Sequence, residues 1–185
     1  MSEISERFRN IAAQFTERAK AVPEQAWDNP APCEGWVARD IVRHMVAWMP
    51  DMFLRPFDAA VSPAPSVDDD PLGAWERMRD DIQAALEDPA LTEREQEVGP
   101  MGQFTLAQSV DTFGTPDVLI HTWDLARSAG LDETLDETEV GRALAALSSI
   151  DEEMLTASGQ FGPRVEVPAD ADEQTRLIAI SGRTP

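Results

Sequence analysis

Apolar residues in the first 22 positions fall at Ile4, Phe8, Ile11, Phe15, Ala19 and Val22. Gaps of three and four place them on one side of a helix, whereas a half-buried strand would alternate every second residue. A stripe of that kind has to be covered by another element, so a chain that begins this way folds by packing helices together. The stripe predicts a first helix that ends near Pro23. A second begins near Val37, with Ile41, His44, Trp48 and Met52 on its inner face and Asp40 in its first turn. Pro50 should kink or stop it early. Asp70 followed by Pro71 starts a third, with Leu72, Trp75, Met78, Ile82, Ala85 and Leu86 turned inward.

Further along, Thr105 and Gln108 form a capping box ahead of "LAQSVDTF". The pattern breaks at Gly114 and restarts with Thr115 as cap and Pro116 in the first turn; Gly130 ends that helix. Asp136 and Glu139 open another, whose face runs through Val140, Leu144, Leu147 and Met154 to Gly159, and a short helix around "EQTRLIAIS" closes the chain. "EREQEVGPMGQF" reads as irregular, with room for a short extended piece. The expected architecture is all-α: a four-helix bundle with short accessory helices and long loops, in a single domain over 1–185.

Composition excludes several roles. Against 35 acidic residues stand 15 basic ones, of which only Lys20 is a lysine, for a net charge of −20. With no basic run there is no footprint for nucleic acid, and an anionic membrane would repel the chain. No apolar run approaches the length of a membrane span, and the polar start lacks the pattern of a secretory signal, so a cytoplasmic location is expected. Cys33 is the one cysteine, which excludes an intrachain disulfide and a cysteine-rich metal site. Its loop, "PAPCEGW", offers no basic neighbour to activate the thiol.

The chain has two histidines. In "DVLIHTWDLAR", Asp117, His121 and Asp124 sit at i, i+4 and i+7 and share a helix face. Phe113 extends that face if the helix continues upstream. His44 lies on the apolar face of the second helix, where a buried imidazole needs partners. Two imidazoles and a carboxylate suit a divalent ion, and three protein ligands leave a position open for water or substrate. The alternative is structural: Asp117 opposing the helix dipole, His44 satisfied in the core, and Asp124 paired with Arg127 at the surface.

The order of motifs resembles the DinB-like superfamily, in its mycothiol-dependent maleylpyruvate isomerase-like branch. The resemblance is carried by "PCEGWVARDIVRHM", "TPDVLIHTWDLAR" and the tail "ASGQFGPRVEVPADADEQTRLIAISGR". Gly35, Trp36, Asp40, His44, Asp117 and His121 match the family pattern position by position. It implies a four-helix bundle holding a divalent ion, zinc or nickel, on His44, Asp117 and His121. Two positions depart from it: Val37 stands where many members have a capping Thr or Ser, and Asp117 where the isomerase has Glu. The full isomerase also has a further C-terminal domain that helps hold its thiol cofactor. No such domain is expected within these 185 residues, so maleylpyruvate isomerisation is not carried over.

Three functions follow as expectations. One is a mycothiol-type transferase or isomerase that presents a low-molecular-weight thiol to a small electrophilic substrate. Another is a metal-dependent hydrolase, with Asp124 as the only nearby base. The third is a non-catalytic metal or small-molecule binding protein. Asp124 and Arg127 are expected to support the ligands from behind. Trp36, Trp48 and Trp123 are candidates for the pocket wall. A homodimer is compatible with exposed bundle faces.

Overall fold

A computed structural model of the chain describes residues 2–97, 102–157 and 159–185. Four long helices form the bundle: α1 (Glu3–Ala21), α2 (Ala38–Phe53), α3 (Pro71–Glu87) and, later in the chain, α6 (Thr115–Ala129). Between α3 and α6 come α4 (Pro89–Thr92), a small antiparallel hairpin of β1 (Glu95–Glu97) and β2 (Gln103–Thr105), and α5 (Leu106–Ser109). The chain then continues through α7 (Glu137–Ser148), α8 (Glu152–Ala157) and α9 (Glu173–Ile180). Each of α1 and α2 packs against both α3 and α6, so the four stripes close on a shared core. Phe8, Ile11, Phe15, Ile41, Met45, Met49, Trp75 and Ile82 lie fully buried there. Burial of each such side chain stabilises the fold by roughly 1.5–3 kcal/mol. α7 and α9 pack on each other, and α7 also touches α6.

The helix starts follow local chemistry. Ser2, Asp70, Asp136 and Asp172 each accept a backbone N–H of the first turn with their side chains. The Thr105–Gln108 capping box is formed in both directions. Val37 has no side chain to cap with, and Asp40 compensates by accepting the Val37 N–H at 3.0 Å. Gly130 ends α6 in the left-handed conformation. The "EREQEVGPMGQF" stretch supplies β1 and the first two residues of β2, and its residues 98–101 lie outside the described ones.

Three expectations are corrected. Of the kink or early stop expected at Pro50, the stop does not occur: α2 runs through Pro50 to Phe53, and both residues pack into the core. α6 does not restart from a free, Thr115-capped end. A π-helical turn, Val110–Gly114, joins α5 to α6, and both the Thr115 N–H and its hydroxyl bond the Val110 carbonyl. Such a turn inserts an extra residue and shifts the helix face. Phe113 accordingly packs on Phe104 of the hairpin, with ring centres 5.3 Å apart, instead of extending the face of Asp117. Gly114 is required here, because a Cβ would stand 2.9 Å from the Phe53 ring. Finally, α7 ends at Ser148, and Met154 belongs to α8, where it is exposed.

Among the polar contacts that tie α3 to α1, one is fully buried. The Trp75 indole donates to the Thr16 hydroxyl at 2.8 Å, and that hydroxyl donates to the Ala12 carbonyl. Thr16→Val keeps the shape but leaves the buried indole N–H without an acceptor. It should cost about 1–3 kcal/mol in urea unfolding, while Thr16→Ser stays close to wild type.

Candidate metal centre

The loop between α1 and α2 brings two side chains to the centre. Gly35, at φ +77°, lets the chain turn so that the Trp36 N–H reaches the Cys33 carbonyl. Pro30 and Val37 pair across the loop, and the Asn29 amide bonds the Ser128 carbonyl near the end of α6. Trp36 and Cys33 thereby come to rest beside the middle of α6.

His44 from α2 and His121 from α6 face one another, with ring centres 5.1 Å apart. Asp117 stands between them. Its Oδ2 lies 3.8 Å from His44 Nε2, and its Oδ1 lies 3.5 Å from His121 Nε2. One donor atom from each of the three residues lies within 4.8 Å of the other two. Asp117 Oδ2 is buried and has no hydrogen-bond partner among the described residues. A buried carboxylate oxygen left this way costs free energy unless something positive meets it. Burial pushes the His44 imidazolium below its ordinary pKa against the opposing charge of Asp117, which favours the neutral ring that a ligand must be.

His121 is oriented from behind. Its Nδ1 lies 2.8 Å from Asp124 Oδ2, and Asp124 is wholly inaccessible to solvent. Burial alone would push the Asp124 carboxyl up. The His121 hydrogen bond and the Arg183 charge outweigh it and hold the carboxyl below its ordinary range. An ionised Asp124 accepts only, so Nδ1 donates to it and Nε2 is the nitrogen turned toward Asp117 and His44. The site could therefore hold a divalent ion on two imidazoles and one carboxylate. His44 and Asp117 remain about a third and a quarter exposed, which leaves one side open to an incoming molecule.

The remaining candidates fall in different places. Trp36 lies against both histidines, 5.2 Å from the His44 ring and 6.1 Å from that of His121. Trp48 sits 5.9 Å from His44, with a buried indole N–H that has no partner among the described residues. Trp123 turns away and stacks under the Arg127 guanidinium. Arg127 does not support Asp124, because it is bound to Glu133 at 2.6 and 2.7 Å.

The cation on Asp124 is Arg183, which sequence reasoning missed. Arg183 Nη2 lies 2.9 Å from Asp124 Oδ2, and its Nε lies 3.2 Å from Oδ1. The only sequence signal was its place in the tail segment that carried part of the resemblance. After α9, Gly182 takes φ +84° and packs so closely on Gly162 that a Cβ would stand 2.6 Å from the Gly162 Cα. That crossing directs Arg183 inward. Nη2 also donates to Cys33 Sγ at 3.4 Å, so the thiol does have a basic neighbour in space. The neighbour does not activate it: burial and Asp124 push the Cys33 thiol up to about 12.

Truncating one member of a buried ion pair leaves the other charge unpaired. Asp124→Ala should cost about 3–5 kcal/mol in denaturant unfolding. Glu133→Ala, which breaks the more exposed pair with Arg127, should cost less than about 1 kcal/mol.

Comparison with known proteins adds one finding. No curated protein and no solved structure matches the chain. A family model does match, that of the mycothiol maleylpyruvate isomerase N-terminal domain, over residues 8–126. The matched region contains His44, Asp117, His121 and Asp124, and it stops short of Arg183. The chain belongs to the mycothiol maleylpyruvate isomerase N-terminal domain family, within the DinB-like superfamily.

Proposed function

We propose that this protein is a divalent-metal-dependent enzyme that adds a low-molecular-weight, mycothiol-type thiol to a small electrophilic substrate, as a transferase or as an isomerase acting through such an adduct. The observation that carries the metal is Asp117 Oδ2, buried and without a hydrogen-bond partner between two inward imidazoles. The thiol class is supported by membership in a family named for a mycothiol-dependent reaction.

His44, Asp117 and His121 would hold the ion, with zinc and nickel the best matches to two nitrogens and one oxygen. When bound, such an ion supplies Lewis acidity and lowers the pKa of a thiol beside it. The protein does the rest. Asp124 keeps the proton on His121 Nδ1, so that Nε2 stays available. Trp36 and Trp48 flank His44 with apolar surface, which limits water around the donors. The open side at His44 and Asp117 gives a small molecule access, and that favours an enzyme over a closed binding module. Hydrolysis is less well supported, because its only candidate base, Asp124, is fully buried and engaged by His121 and Arg183.

Elemental analysis of protein purified without chelators should find near-stoichiometric divalent metal, strongly reduced in His44→Ala and His121→Ala. A screen of small electrophiles should then show turnover that requires added thiol and is lost with the metal. Absence of metal in wild type, even after incubation with zinc or nickel, would sink the proposal. Thiol-independent ester or amide cleavage would replace it with hydrolysis.

A further inference from the structure

His121 belongs to two donor clusters, one on each ring nitrogen. The first is His44, Asp117 and His121. The second is Cys33, His121 and Asp124, whose donor atoms also lie within 4.8 Å of one another. In the second cluster Cys33 Sγ is 3.6 Å from Asp124 Oδ2, and His121 Nδ1 is 2.8 Å from the same oxygen. A thiol, an imidazole and a carboxylate at this separation match a thiophilic divalent ion such as zinc, cobalt or cadmium. Arg183, itself 8% exposed, already stands there, with Nη2 at 2.9 Å from Asp124 Oδ2 and 3.4 Å from Cys33 Sγ.

A neutral imidazole has one lone pair. If Nδ1 gives its proton to the hydrogen bond with Asp124, only Nε2 can bind a metal. If Nδ1 binds a metal, the proton must move to Nε2 and the first cluster loses a ligand. The two clusters are therefore exclusive for a neutral His121, and something must choose between them. We propose that Arg183 makes the choice: its guanidinium fills the Cys33–His121–Asp124 cluster with a permanent positive charge, so that this latent thiolate metal site stays closed and the ion is directed to the Nε2 side of His121.

The inference rests on the reading of His44, Asp117 and His121 as the metal ligands, but it makes a separate demand. Without Arg183, Asp124 becomes a buried carboxylate with no cation, beside a thiol and an imidazole nitrogen. A divalent ion can supply the missing charge. The Cys33 thiol proton then leaves to buffer, a sulfur–metal bond forms, and nothing is oxidised or reduced.

Cobalt(II) separates the clusters, because thiolate ligation adds a near-ultraviolet charge-transfer band that nitrogen and oxygen ligands do not. Full-length wild type, Arg183→Gln, Arg183→Lys and the double variant Arg183→Gln/Cys33→Ser are titrated with cobalt, and circular dichroism monitors the fold. The band is expected in Arg183→Gln alone, absent from wild type, from Arg183→Lys, which keeps the cation, and from the double variant, which lacks the sulfur. Arg183→Met, long and neutral, is read in the same way if Arg183→Gln fails to fold. A folded neutral variant without the band, or a band in wild type, overturns the inference. The metal triad is judged on different spectra: wild type without cobalt d–d absorption counts against that reading, whatever the Arg183 variants show.

Discussion

The hydrogen-bonded chain His121–Asp124–Arg183 is the contact on which the centre of this protein depends. Asp124 is the only carboxylate among the described residues that is fully removed from water. Such a charge is tolerated only when other groups satisfy it. His121 satisfies one oxygen, and the guanidinium of Arg183 spans both. The arrangement fixes the direction of the imidazole, the nitrogen that holds its proton and the nitrogen that faces Asp117.

The same chain explains why the segment after the bundle matters to the site. The family match ends at residue 126, yet the cation comes from residue 183. The intervening chain forms α7 and α9, which pack together and hold each other in register: Gln174 bonds the Leu135 N–H and the Glu133 carbonyl ahead of α7. The Gly162–Gly182 crossing then sets the exit from α9. These contacts are local and modest, and their combined result is one arginine placed on one carboxylate. On the other side, the Asn29–Ser128 hydrogen bond docks the Cys33–Trp36 loop on α6. Two loops and one helix thus enclose the back of His121, while its front faces α2.

Much of this was legible in the sequence, for identifiable reasons. The stripes of α1, α2 and α3 and the caps at Asp70, Asp136 and Gly130 are signals carried by residues within a few positions of each other. The spacing of Asp117 and His121 is of that kind too, and the structure brings His44 to them. Asp124 was half legible: its face followed from helical spacing, but its partner did not. Arg127 is three residues away and looked adequate, whereas the actual partner lies 59 residues on and reaches Asp124 only through tertiary packing. The π-helical turn was illegible because Gly114 looks like a break and Thr115 like a cap. Only the proximity of Phe53 shows that the glycine serves close packing. For Cys33 the basic neighbour was missed for the same reason, being remote in sequence, although the reading of an unactivated thiol holds.

X-ray absorption at the metal edge of the zinc-loaded wild-type protein tests this account most directly. It predicts a first shell of nitrogen and oxygen at about 2.0–2.2 Å, with the outer scattering of two imidazoles and no sulfur near about 2.3 Å. A sulfur shell, or a shell without imidazole scattering, would contradict it.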